Sequence, residues 1–203
     1  MKSGSRAPKR RTVGVMGGSF NPVHIGHLMV ASYVRQWGGL DEVWLSLTPR
    51  NPFKVTDTEL LADSDRLKML EIAAHNDCAL RVTDVELTMP QPNYSIDTLR
   101  HLNSLYPDTD FRLIIGSDNW LEWHRWRAHD EILREFGVIV YPRPGYEVSD
   151  EALPAGASLI KAPTTDISST FVREAIAAGR DMNCFLPHGV FDYIRTHGLY
   201  SAK

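Results

Sequence analysis

Apolar positions along the chain recur with two alternating periods. A short apolar run at 13–16 has the character of a buried strand, and after a glycine-containing turn the apolar residues of 28–34 recur at helical spacing. Positions 42–47 alternate through Val43, Leu45 and Leu47 as a second strand, so the opening unit is strand, helix, strand, which predicts a right-handed parallel crossover. Further on, 64–76 places Leu67, Leu70 and Ala74 on one helical face, and 80–85 reads as a strand whose alternation runs on through Leu87. Ser95 is a good cap for a helix carrying Ile96, Leu99 and Leu102 on one side and stopped near Pro107. The apolar run 111–115 predicts a central strand, 131–136 a helix, 138–141 a buried strand and 158–162 a last strand. A helix then opens after Asp166 and ends at Gly179, and 187–197 forms a C-terminal helix stopped by Gly198. This order of elements predicts an α/β protein built on a doubly wound parallel sheet, with a small C-terminal helical part.

Composition narrows the class. With 203 residues, 43% of them hydrophobic, the chain suffices for one well-buried domain, expected over 12–203. Residues 1–11 carry Lys2, Arg6, Lys9, Arg10 and Arg11 without an acid and read as a flexible basic tail. A formal net charge of −3 gives no overall attraction to nucleic acid or to a membrane surface. No segment has the apolar length of a signal peptide or a membrane span. The only cysteines, Cys78 and Cys184, are far apart and lack metal-ligand spacing, which fits reduced thiols in a cytoplasmic protein. Oligomeric state is not encoded in these features.

The candidate chemistry begins where the first strand ends, at Gly17-Gly18-Ser19-Phe20-Asn21-Pro22-Val23-His24-Ile25-Gly26-His27. Paired glycines let backbone approach a bulky anion, and the following helix start offers N–H groups to phosphate oxygens. His24 and His27, three positions apart, share one side of a helical first turn and so can address one phosphate chain. The proline-punctuated loop 49–54 holds Arg50 and Lys54 at the carboxyl end of the second strand, where open parallel sheets place ligands. Arg66, just inside a helix start, opposes the helix dipole, so it is either exposed or serves an anion. Gly116 and Asp118 follow the central strand, a position from which an acid commonly meets a ribose hydroxyl or a helix N-terminus. Three tryptophans within 120–126 exceed what one helix face needs for packing, leaving at least one to stack on a flat ring. Ser168, Ser169 and Thr170, after Ile167 and before Arg173, supply more hydroxyls than a cap requires and suit a phosphate cradle.

The segments 17–27 and 167–173 resemble the two ends of one site in the nucleotidyltransferase superfamily that carries a His-x-Gly-His motif. The combination of Gly116-x-Asp118, Asn93-Tyr94-Ser95 before a helix, Trp126 eight residues after Asp118, Arg143-Pro144-Gly145, and the tail from Leu186-Pro187 to Gly198-Leu199-Tyr200 is similar to bacterial nicotinate mononucleotide adenylyltransferases over nearly the whole chain after the basic tail. That resemblance implies a Rossmann-like nucleotidyltransferase fold and transfer of the adenylyl group of ATP to nicotinate mononucleotide with release of pyrophosphate, on the route to NAD. It implies His24 and His27 as catalytic groups, and Gly17, Gly18, Ser19, Phe20, Gly116, Asp118, Ile167, Ser168, Ser169, Thr170 and Arg173 at ATP. Lys54, Asn93, Tyr94, Ser95, Trp126 and Arg127 fall to the mononucleotide, and Mg²⁺ is expected on substrate phosphates rather than on protein ligands. The family often has aspartate where this chain has Asn21, so Asn21 is given no metal role. Another His-x-Gly-His enzyme, such as a pantetheine-phosphate adenylyltransferase, and a non-catalytic nucleotide-binding module remain as alternatives. A class I aminoacyl-tRNA synthetase shares the literal His-Ile-Gly-His, but its lysine-rich second signature and tRNA-binding domain are not visible.

Overall fold

A computed structural model describes residues 10–49, 60–75 and 77–202. In chain order these form β1 (Arg11–Gly18), α1 (Ile25–Trp37), β2 (Glu42–Leu47), α2 (Asp63–Ala74), β3 (Leu80–Thr83), α3 (Val85–Thr88), α4 (Ser95–Leu105), β4 (Thr109–Gly116), α5 (Ser117–Leu121), α6 (His129–Glu135), β5 (Val138–Tyr141), β6 (Ala157–Leu159), α7 (Ser169–Ala177) and α8 (Val190–Thr196). The strands make one six-stranded sheet in the order β3-β2-β1-β4-β5-β6, and every neighbouring pair is parallel. Strand order therefore reverses between β1 and β4, the point at which such sheets open a crevice at their carboxyl edge.

Alternation along each strand fills two layers. Val13 and Val15 of β1, Leu113 and Ile115 of β4, and Val138 and Val140 of β5 pack with Ile96, Leu99 and Leu102 of α4 and Ile132 of α6. Met16, Val43, Leu45, Leu47, Ile114 and Ile139 face the other way, against Val30 and Val34 of α1, Met69 and Leu70 of α2, Val172 of α7 and Ile194 of α8. Both faces are covered, so the strands read as nearly continuous apolar runs. The C-terminal helices join the α1 and α2 layer. Gly14 is dictated by this packing, since a Cβ there would lie 2.5 Å from Ile114 Cδ1 and 2.6 Å from Leu40 Cδ1.

Several boundaries differ from the sequence reading for identifiable reasons. The third strand ends at Thr83 rather than at position 85, because the Thr83 hydroxyl accepts the Val85 N–H at 3.4 Å and the chain turns into α3, sending Glu86 inward to Ser46. Ser95 is the first helical residue of α4; the cap position is Tyr94, which makes no side-chain cap bond. The basic segment is described only from Arg10, which reaches Asp110 at 2.6 Å, and Arg11 opens β1 with an ion pair to Glu42 at 2.9 Å.

Candidate active site

β1 delivers the glycine-rich segment to the crevice. Gly17 and Gly18 are its last two residues, and the turn that follows is made by Phe20, at φ 44, and by a cis Asn21–Pro22 peptide, not by the glycines. Phe20 is buried and meets His27 edge-on, with ring centroids 5.0 Å apart, so that its ring packs behind His27. His24 occupies the N-cap of α1, and His27 lies on the same first turn with its ring stacked on that of His24 at 3.7 Å. The His24 N–H donates to His27 Nδ1 at 3.2 Å, so the His27 proton belongs on Nε2. Burial, and secondarily the Arg143 guanidinium, lower the His24 pKa to about 4. Burial also pushes His27 well below its ordinary value, with smaller contributions from His24 and Arg143. Both rings are therefore neutral in the free protein, and His24 Nδ1 is buried without a hydrogen-bond partner among the described residues.

Two cavities meet here, sharing Met16 and Tyr141 as walls. The smaller holds His24 and His27 opposite Arg143 and Ile167. The larger, about 560 Å³, runs along the carboxyl ends of β1 and β4 past Gly17, Gly18, Ser19 and Gly116 to Asn93, Tyr94, Ser95, Trp126 and Arg127. The mononucleotide residues expected at 93–95 and 126–127 are thus brought together with the glycine segment. Trp126 is half-buried and lies 5.3 Å from Trp123, which is the buried member of the tryptophan run. Arg127 lies over the Tyr94 ring at 4.8 Å and pairs with Asp97 at 3.4 Å. The α4 N-terminus lies at this end, its Asp97 and Thr98 N–H groups closing on Tyr94 O while Tyr94, Ser95 and Thr98 line the cavity.

The second phosphate motif converges on the first across nearly the full chain. Ser169 Oγ donates to Pro22 O at 2.9 Å, and Arg173 Nη1 donates to Asn21 O at 2.9 Å. Ser168 is the N-cap of α7, its oxygen accepting the Phe171 N–H at 3.1 Å, and Thr170 Oγ1 accepts from Arg173 at 3.4 Å. Ser169 and Arg173 thus brace the 21–24 loop, Ser168 caps α7 and Thr170 supports Arg173, while Ile167 lines the smaller cavity. Asp118 sits in the first turn of α5 beside Arg143, 3.8 Å from its Nε, rather than in the wall of the large cavity. A Cβ at Gly116 would lie 2.3 Å from Asp118 Oδ1, which accounts for glycine there. Arg50 and Lys54 lie outside the described residues.

Arg66 is neither exposed nor in the wall of either cavity. It is fully buried, its guanidinium donating to the carbonyls of Ser19, Thr48, Pro49 and Leu61 and pairing with Asp63. Sequence reading gave no role to Arg143, whose N–H donates to Ser117 Oγ at 2.8 Å, although it lies two residues past β5 at the same carboxyl edge that pointed to Asp118. It also passed over Glu86, 6% exposed in the wall of the large cavity, which accepts from Ser46 at 2.9 Å and whose pKa is raised by burial. Nothing local marks a buried acid in a short helical turn.

Comparison with known proteins agrees with this geometry. Residues 15–175 match the family model described as cytidylyltransferase-like. A Bacteroides thetaiotaomicron protein named "Probable nicotinate-nucleotide adenylyltransferase" is 45% identical over 184 residues, covering 91% of each chain. The chain belongs to the nicotinate-nucleotide adenylyltransferase family. A further member of that family, from Flavobacterium johnsoniae, is 37% identical over 93% of this chain and 98% of its own. Among solved structures, Plasmodium falciparum nicotinic acid mononucleotide adenylyltransferase complexed with NaAD superposes with a TM-score of 0.75 at 21% identity, over 94% of this chain and 97% of that one, which shows the shared fold.

One consequence for this family member concerns Gly26. A Cβ there would lie 3.0 Å from both His24 Nδ1 and Thr165 Cγ2. Alanine is a better helix residue than glycine by roughly 0.5–1 kcal/mol, which offsets the strain of moving these neighbours, so Gly26→Ala should leave the melting temperature within a few degrees of wild type. Displacement of the His24 ring should nevertheless lower kcat about tenfold or more, as read by steady-state turnover beside thermal unfolding.

Proposed function

We propose that this protein transfers the adenylyl group of ATP to nicotinate mononucleotide, giving nicotinate adenine dinucleotide and pyrophosphate, as a step of NAD biosynthesis in the cytoplasm, with 12–203 acting as one nucleotidyltransferase domain. The observation that carries this reading is the pair of adjoining cavities at the β1–β4 switch point, one holding two stacked neutral histidines beside an arginine and the other ending in Trp126, Tyr94 and a helix N-terminus. Among the described residues no helix is long and apolar enough to cross a membrane.

The 5′-phosphate of the mononucleotide attacks the α-phosphorus of ATP in line, and no side-chain nucleophile is needed. The protein supplies position and charge stabilisation. His27 donates from Nε2, its Nδ1 being held by the His24 N–H, while His24 and Arg143 add a donor and a positive charge to the same recess. The brace of Ser169 and Arg173 on Pro22 and Asn21 keeps the histidine loop in register with α7, and the Ser168 hydroxyl and the α7 start address the polyphosphate from that side. Mg²⁺ prefers oxygen ligands and keeps its waters, and it would be held here by substrate phosphates. Bound there, it would supply positive charge against the departing pyrophosphate.

Selectivity for nicotinate over nicotinamide follows from donors at the α4 N-terminus, which suit a carboxylate better than an amide. Trp126 stacks on the pyridine ring. Pyrophosphate release should be rapid with ATP and nicotinate mononucleotide, much slower with nicotinamide mononucleotide and absent with phosphopantetheine. Loss of one stacking platform at about 1–3 kcal/mol corresponds to a rise of roughly 5- to 150-fold, so Trp126→Ala should raise KM for nicotinate mononucleotide by about tenfold and leave KM for ATP unchanged. Equal efficiency on the two pyridine nucleotides would refute the selectivity, and an unchanged nicotinate KM would remove Trp126 from the site.

A further inference from the structure

The residues that follow α8 take no part in the chemistry above, yet they reach the catalytic loop. α8 ends at Thr196, and Gly198 at φ 62 and Tyr200 at φ 60 both adopt the left-handed region, with the Leu199 N–H closing back on Ile194 O at 3.0 Å. A tyrosine rarely holds that conformation, so something over-determines it. The Tyr200 hydroxyl donates to Asn21 Oδ1 at 2.7 Å. Asn21 is 2% exposed; its Oδ1 also accepts the Leu61 N–H at 3.3 Å, and its carbonyl accepts from Arg173. The C-terminal tail, the segment before α2, and α7 therefore meet on the residue that opens the Asn21-Pro22-Val23-His24 loop.

We propose that Tyr200 is a positioning residue, whose hydroxyl acts through Asn21 to set the 21–24 loop and so the His24 and His27 rings against the polyphosphate. The inference rests on the reading of those histidines as phosphate-facing groups in adenylyl transfer. The neutral amide of Asn21 suits the arrangement, because its oxygen accepts from two donors and adds no negative charge beside the phosphates. Burial raises the Tyr200 pKa, against the opposing effect of Arg173 and Arg66, so the hydroxyl remains a donor throughout the neutral range. Part of the Tyr200 ring also packs on the core, which makes simple anchoring of the tail the competing account.

Tyr200→Phe keeps the ring and deletes the donor. Tyr193→Phe is the matched control, since it removes a comparable hydroxyl bond, 2.9 Å to Asp65 Oδ1, between α8 and α2. The two variants and the wild type are compared by pyrophosphate release, by thermal unfolding, and by the histidine ring proton signals in NMR spectra of the substrate-free protein. Tyr200→Phe is expected to lower kcat about tenfold with KM for both substrates within about twofold, and to shift the His24 and His27 signals, because a misplaced catalytic group costs rate more than affinity. Tyr193→Phe should lose comparable thermal stability and leave kcat and those signals unchanged. Wild-type kcat and unshifted signals in Tyr200→Phe, or equal kcat losses in the two variants, would overturn the proposal. Should the wild type release no pyrophosphate with nicotinate mononucleotide, the functional reading fails by itself, and the histidine signals still decide whether Tyr200 sets the loop.

Discussion

Alanine at His24 or at His27 is expected to lower kcat about 10²- to 10³-fold, the range found when one preorganised donor to a developing charge is deleted, equivalent to about 2.7–4 kcal/mol. KM should change far less, because the lost interaction strengthens only as charge moves onto the leaving pyrophosphate. The two variants should differ in stability. His27→Ala strips the His24 N–H of its acceptor at the α1 start, which costs about 1 kcal/mol. His24→Ala removes a buried ring whose Nδ1 has no partner among the described residues and whose charged form is opposed by burial. Its effect depends on pH with a definite sign. Folded His24 titrates at about 4 against an ordinary value of 6.5, so above 6.5 both folded and unfolded chains are neutral there and no stability is at stake. As pH falls from 6.5 toward 4, the unfolded chain takes up a proton that the folded chain refuses, and the fold loses stability. His24→Ala should therefore flatten the decline in melting temperature across that window. Unchanged turnover in both variants would place the histidines outside the reaction.

Features written within one short stretch of chain were legible in the sequence; those assembled from distant stretches were not. The βα alternation survives because a doubly wound sheet buries both strand faces, so Val13 to Met16 and Val138 to Tyr141 show as bare apolar runs. The glycine segment and the 167–173 hydroxyls were visible for the same reason, each being a local motif at a helix start. Their joining at one site was implied by the family resemblance, but not the form it takes, in which Ser169 and Arg173 bond to the Pro22 and Asn21 carbonyls and brace the loop. Phe20 illustrates the limit. Its left-handed turn depends on burial against His27 and not on its own preferences, which would have assigned the turn to a glycine. Arg143 and Glu86 owe their places to β5 and α3, and the residues that give them meaning, His24 and Ser46, come from the start of α1 and from β2.

Arg66 shows the strongest divergence and carries the largest expected effect on stability. A helix-start arginine suggests an exposed side chain or an anion site, whereas this one is 0% exposed. Nη1 donates to Ser19 O at 2.6 Å and Thr48 O at 3.0 Å, Nη2 to Pro49 O at 3.1 Å, and Nε to Leu61 O at 3.2 Å, with Asp63 completing the set. Those carbonyls belong to the segments leaving β1 and β2 and to the approach to α2, so one guanidinium holds the carboxyl edge of the sheet in shape where Ser19 and Thr48 line the large cavity. Arg66→Met fits the volume but orphans the carbonyls, and leaving a buried acceptor unpaired costs about 1–3 kcal/mol each, with relaxation and water entry reducing the sum. A net loss of about 3–5 kcal/mol is expected, or roughly 10 °C in melting temperature for a chain of this length. Arg66→Lys should recover little, because an ammonium cannot reproduce the planar fork that reaches carbonyls on separate segments. Thermal unfolding of both variants checks this. A methionine variant that unfolds within about 1 kcal/mol of wild type and instead shows a raised KM for ATP would return Arg66 to the anion-binding role that its position in the sequence suggests.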